Sequence, residues 1–260
     1  MTTVTAPSTH ATGSAVYRIL YQIPNWRLRE LFVLLRTYCQ GDVIDIGGHD
    51  FVITAREKEL DFRRWVTVEV DKSFRCRHSI PSASLVIADG VRLPISHSSC
   101  DTALCLHVLE HVFEPLDIVR EMKRVLRPGG HGIVMVPQTS PLHLIPHHYQ
   151  NFTIYWLREA CRRLDLELVE QRRLGGFWSS VASRMMYFYL ESGRVAEYSS
   201  PEYRRNGLFY LLFPLMAVWA ALNILVGLIF AWGDLTEEPN NLVVVFRVPS
   251  LSPEQAAPRA

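Results

Sequence analysis

Cysteine chemistry is the first thing this chain lacks. Its five cysteines, at 39, 76, 100, 105 and 161, are odd in number and include no C-x-x-C pair. That argues against a disulfide framework and a zinc knuckle, and reads them as small core residues in a reducing compartment. Charge of one sign is also lacking. The formal net charge is +1, so no nucleic-acid partner is expected. The first fifteen residues, MTTVTAPSTHATGSA, have neither the basic start nor the apolar run of a signal peptide. One absence runs the other way: residues 207–233 carry no charged side chain at all.

The 260 residues, 48% of them hydrophobic, suffice for one large or two small domains. Positions 1–14 read as a disordered lead-in, and 250–260 as a similar tail. Between them, strands and helices alternate. In 25–38, Leu28, Leu31, Phe32 and Leu35 share a helical face, with Asn25 as cap and Gly41 as stop. Strands are expected at 42–46, 65–70, 84–88, 101–106, 131–137, 166–174 and 241–248. Helices are expected at 113–130, with Pro115 in the first turn and Gly129-Gly130 as the stop, and at 153–165, capped by Thr153. The pattern predicts an α/β fold with a doubly wound, mostly parallel sheet covered on both faces.

Ligands of such sheets sit beyond the carboxyl ends of the strands. Aspartates stand at the expected ends of the first three strands: Asp45, Asp71 and Asp89. Each alone is an ordinary turn former. Together, with Asp71 at the spacing from Gly47 typical of a ribose-binding acid, they point to a nucleoside site.

The stretch IADGVRLPISHSSCDTALCLHVLEHVFEPLDIVREMKRVLRPGGHGIVMVP resembles class I S-adenosylmethionine-dependent methyltransferases of the type 11 group, whose members carry L-E-H followed by R-V-L-[KR]-P-G-G. The resemblance is close over 84–137 and looser over 42–175. It implies a Rossmann-like sheet with an antiparallel last strand, and S-adenosylmethionine as cofactor. It places Asp45, Gly47 and Gly48 in the first turn, Asp71 on the ribose, and Asp89 with Gly90 at the adenine. His107 would lie near the transferable methyl group. The cofactor carries the reactive methyl group, so the protein must align an acceptor and take a proton from it. His107 and His111 are the candidate bases, since imidazole titrates near neutrality; otherwise they only bond within their loop. Glu110 would open the following helix and touch substrate. The run VPQTSPLHLIPHHYQNFT resembles members associated with glycan and cell-surface polymer synthesis.

Three departures stand out. The usual D-x-G-x-G-x-G turn reads Asp45-Ile46-Gly47-Gly48-His49-Asp50-Phe51, with His49 and Phe51 where glycines are expected. The connection from Asp71 to Ser84 is too short for a full crossover helix. In the second motif His148 and Asn151 replace an aspartate and an arginine. His143, His147 and His148 form an H-x-x-x-H-H run, but spacing fixes no acidic or cysteine ligand beside it, so no metal is expected. These histidines and Tyr149 are read as lining the substrate mouth.

The apolar run admits a spanning helix, a helix packed in a soluble core, or a helical hairpin or in-plane helix resting on a membrane. The last strand belongs in the sheet, so both ends of the insertion should lie on one side. A hairpin or in-plane helix broken near Pro214 or Asn223 is therefore expected, with Arg184, Arg194, Arg204 and Arg205 near headgroups. The domains follow: 15–200 with 241–249 as the methyltransferase unit, and 201–240 as the apolar insertion. The expected protein is a cytoplasmic methyltransferase, peripheral or monotopic at the inner face of a membrane, acting on a small-molecule or lipid-linked acceptor. The alternative is a non-catalytic, membrane-associated scaffold of the same fold.

Overall fold

A computed structural model describes residues 28–76, 79–144, 146–192 and 206–250. The lead-in expected at 1–14, most of the tail, and Asn25, Arg194, Arg204 and Arg205 lie outside the described residues. The elements run α1 (Arg29–Tyr38), β1 (Gly41–Ile46), α2 (Phe51–Glu57), β2 (Phe62–Glu69), β3 (Ala83–Ile87), β4 (Cys100–Leu106), a 3-10 turn (Leu109–His111) and α3 (Pro115–Val125). Then follow β5 (Leu126–Pro137), α4 (Ile154–Arg163), β6 (Glu167–Leu174), α5 (Phe177–Ser192), α6 (Gly207–Phe230) and β7 (Asn241–Arg247).

The seven strands form one sheet in the order β3-β2-β1-β4-β5-β7-β6. β1 to β5 pair in parallel, and β7 is antiparallel to both neighbours. This is the Rossmann-like sheet with an antiparallel last strand that the sequence implies. β7 shows why it must sit inside the sheet. Leu242, Val244 and Phe246 face a core with α3 and α4, whereas Val243 and Val245 face a second core with α1 and α2. An alternating strand buried on both faces cannot be left in water. Four of the five cysteines are buried and all are free.

Three boundaries differ from expectation. The helix expected over 113–130 stops at Val125, and Leu126 is already extended and paired with Cys100. Pro128 biases Arg127 away from helix, so Gly129-Gly130 lie in β5 rather than ending a helix. β2 ends at Glu69, not beside Asp71. α6 runs unbroken through Pro214 and Asn223. Asn223 donates its side-chain N–H to the Trp219 carbonyl at 2.8 Å, staying within the helical ladder.

The hairpin forms instead between α6 and α5, a helix the sequence did not announce. The start of α5 meets the end of α6, where Trp178 packs on Phe230 at 4.9 Å, and Phe188 approaches Phe209 at the other end. Gly227 allows this approach: a β-carbon there would lie 2.7 Å from the Trp178 carbonyl oxygen and 2.8 Å from the Ala182 side chain. Both ends are clasped at the sheet. Asp234, after α6, accepts from the backbone N–H of Trp178 (2.7 Å) and Ser179 (3.0 Å) and from the Ser179 hydroxyl (2.5 Å). Those are orphan donors of the first turn of α5, capped from across the hairpin.

Candidate active site

At the carboxyl edge of the sheet, the turn after β1 keeps its shape with few glycines. Gly47 has φ +68°, and a β-carbon there would lie 2.5 Å from the Val108 side chain. His49 takes φ +47° without being glycine. Its backbone N–H donates to Glu69 Oε1 at 2.6 Å, and its ring Nδ1 lies 3.2 Å from the same oxygen. That pairing holds the left-handed conformation. Phe51, in the last glycine position, opens α2 and stacks against Phe32 and Trp65. The turn has thus exchanged glycine freedom for a carboxylate clamp and an aromatic anchor.

Asp45 is fully buried under this turn, and neither carboxylate oxygen has a partner among the described residues. Burial, with the negative charge of Glu69, pushes its pKa up to about 8. Glu69 itself is pushed up by burial.

Gly47, Glu69, Val70, Asp89, Gly90, His111 and Tyr149 line a cleft of about 300 Å³ at this edge. Gly90 lets the backbone press close: a β-carbon there would lie 2.9 Å from Ile46 Cγ2. Asp89 caps its own turn, accepting from the Val91 N–H at 3.1 Å. Asp71 stands apart from the cleft lining, its carboxylate held by the Ser73 N–H (2.8 Å) and hydroxyl (2.7 Å), which hold its pKa below the usual range.

The chain after β4 supplies a second group of side chains. His107 (φ +58°) turns its Nδ1 to Glu110 Oε1 at 3.2 Å. Glu110 is fully buried. The loop after β5 folds back on this turn: the Tyr149 N–H donates to the Glu110 carbonyl at 2.9 Å, and His111 Nδ1 donates to the His147 carbonyl at 2.7 Å. His143 and His148 consequently pack on His111, at ring separations of 4.7 and 5.5 Å. His147 stays on the exposed rim beside Tyr149.

The fold therefore brings Gly47, Asp89, Gly90, His111 and Tyr149 to one cleft, with Glu110, His107, His143 and His148 behind it. Gly48 serves the buried Asp45, and Asp71 and His147 stand outside. Sequence reasoning passed over Glu69, although an acid inside the β-branched run WVTVEV is the signal that could have found it.

Comparison with known proteins agrees with this fold. Residues 48–134 match the family described as "Methyltransferase domain". An uncharacterized methyltransferase of Mycobacterium sp. (strain KMS) is 35% identical over 98 residues, covering 35% of this chain and 37% of the relative. The chain spans only 20% to 38% of the length of the curated relatives it matches. Among solved structures, the [4+2]-cyclase SpnF superposes with a TM-score of 0.57 at 18% identity, covering 86% of this chain and 82% of that one. Phosphoethanolamine N-methyltransferase 2 of Haemonchus contortus, solved with S-adenosyl-L-methionine, gives 0.52 at 11% identity, covering 89% of this chain and 57% of that one. Residues 48–134 thus resemble a methyltransferase domain, and the fold is shared with a solved methyltransferase.

Proposed function

We propose that the protein transfers a methyl group from S-adenosylmethionine to a hydroxyl-bearing acceptor. The observation that carries this reading is the cleft at the carboxyl edge, where Gly47 and Gly90 leave room that a single β-carbon would close. The residues present suit the cofactor. Gly47 would border its methionine part and Asp89 with Gly90 its adenine, while Asp71, outside the cleft lining, would meet its ribose hydroxyls only by turning away from Ser73. When bound, its sulfonium supplies the methyl group. His107, backed by the Glu110 carboxylate and 40% exposed, is the group free to take the acceptor proton. His111 has its Nδ1 tied to a carbonyl, and burial lowers its pKa, so it stays neutral in the cleft.

Calorimetric titration with S-adenosylhomocysteine tests this. Micromolar binding lost in Asp89→Ala and weakened in Asp71→Ala supports it. Absence of binding by folded wild-type protein overturns it in favour of a non-catalytic relative of the fold.

The same reading extends to where the acceptor comes from. The helix Gly207–Gly233 is long and apolar enough to cross a membrane by length and composition. Leu211, Leu215, Val218 and Trp219 are each more than 60% exposed. A contiguous apolar surface of this kind marks a lipid or protein contact. The clasp at Asp234 keeps both ends of the hairpin at the sheet, so it would rest on a membrane or insert as a hairpin rather than as a single span. Tyr187 of α5 donates to the Leu142 carbonyl at 3.4 Å, tying the hairpin to the loop that carries exposed Leu142 and Leu144. This arrangement supports methyl transfer to a lipid-linked acceptor, presented from that surface at the cytoplasmic face of a membrane.

A further inference from the structure

We infer that Glu110, His111 and His143 form a binding site for one divalent transition-metal ion. Glu110 and His111 sit in the turn after β4, and His143 lies in the loop after β5. One ligand atom from each lies within 4.8 Å of the others. Spacing within the His143–His148 run gave no such set, because the remaining ligands come from a different segment.

Hydrogen bonding prepares the donors. A backbone carbonyl only accepts, so His111 Nδ1, 2.7 Å from the His147 oxygen, carries the ring proton. His143 Nδ1, 3.0 Å from the Pro141 oxygen, does the same. In each neutral ring the lone pair is then on Nε2. This is how metal-binding imidazoles are oriented, with the distal N–H given to a carbonyl. His148 locks His143 further: its Nδ1 accepts the His143 backbone N–H at 3.3 Å, and its ring stacks edge-on at 4.5 Å.

The carboxylate supplies the independent sign. Glu110 is fully buried; Oε1 lies 3.2 Å from His107 Nδ1 and 3.9 Å from His111 Nε2, while Oε2 has no partner among the described residues. A buried carboxylate oxygen left unpaired is costly, and a cation is the partner that removes the cost. Two imidazoles and one carboxylate suit Zn²⁺ or Fe²⁺ and not Mg²⁺ or Ca²⁺, which take oxygen ligands. Three protein ligands leave coordination positions open. His111 also lines the cleft, so an acceptor hydroxyl can fill one of them. This role rests on the methyl-transfer reading: a hydroxyl bound to the ion would lose its proton more readily than a free one.

The test uses the full chain after chelator treatment. It is titrated with Zn²⁺ by calorimetry and with Co²⁺ by visible absorption, alongside S-adenosylhomocysteine. One ion per chain is expected, with affinity reduced at least about tenfold in His111→Ala, His143→Ala and Glu110→Gln. His97→Ala, an exposed histidine elsewhere, should bind as wild type does. Circular dichroism checks that each variant is folded, and the wild-type stoichiometry needs no variant. Zn²⁺ binding that is absent, or equal in wild type and in folded His143→Ala, overturns the inference. Metal binding without S-adenosylhomocysteine binding keeps the ion site and removes the methyl-transfer reading; the converse removes the ion site alone.

Discussion

Asp45 and Gly48 occupy almost the same space: a β-carbon on Gly48 would lie 1.9 Å from Asp45 Oδ2. Gly48 is therefore needed to leave room for a carboxylate below, while Gly47 beside it is needed for its backbone conformation. Two adjacent glycines answer to two different constraints.

The buried Asp45 makes stability depend on pH. Its folded pKa, pushed up to about 8 by burial, lies above its unfolded value near 3.9. The neutral form is favoured in the fold, so this contribution is fully present below pH 4 and is lost as pH rises toward 8. Asp45→Asn should gain stability over wild type by up to about 1.4 kcal/mol per pH unit between pH 5 and pH 7. Denaturant melts at three pH values check it; a pH-independent difference would contradict the buried, protonated carboxyl.

The first turn should tolerate glycine at His49 and reject alanine at Gly47. His49→Gly relieves a left-handed conformation costing about 1 kcal/mol and keeps the backbone N–H bond to Glu69 but loses the imidazole contact, so its melting temperature should stay close to wild type. Gly47→Ala meets both positive φ and Val108. It should destabilise by about 2 kcal/mol and abolish S-adenosylhomocysteine binding. Thermal melts and calorimetry on the two variants separate these effects.

Asp234→Ala should loosen the hairpin without unfolding the sheet. It removes three hydrogen bonds to the first turn of α5, a loss of about 1–3 kcal/mol. Proteolytic cleavage near residues 176–192 should accelerate while the sheet core stays resistant. Uniform loss of resistance would mean that the clasp supports the whole domain.

The exposed face of α6 should drive association with lipid. Leu211→Ser, Leu215→Ser and Trp219→Ser together should reduce flotation with anionic phospholipid vesicles. Stability should change little, because all three side chains are more than 60% exposed. Unchanged flotation would assign that face to another role.

Local pattern was enough for most of the fold. β-branched runs marked the strands, and Pro115 and Thr153 marked helix starts; Thr153 Oγ1 does accept the Trp156 N–H, at 3.3 Å. The run LEHVFEPLDIVREMKRVLRPGG identified the domain because its residues act within a few positions of one another. The end of α3 was misjudged because glycine is a strong stop signal, whereas pairing of Leu126 with Cys100 is a long-range effect. α5 went unseen because its sequence, FWSSVASRMMYFYLES, lacks a clean apolar stripe; packing on α6 around Gly227 supports it.

The candidate site divides in the same way. Sequence alone determined which residues could be there: the acids near strand ends, the Gly47 turn, and the histidines of two motifs. Only tertiary structure decided which of them meet. It joined Glu110 and His111 to His143, put Glu69 under His49, turned Asp71 onto Ser73, and hid Asp45 from water. These outcomes depend on sheet register and on one loop folding over another, and such contacts link residues that are distant in the chain.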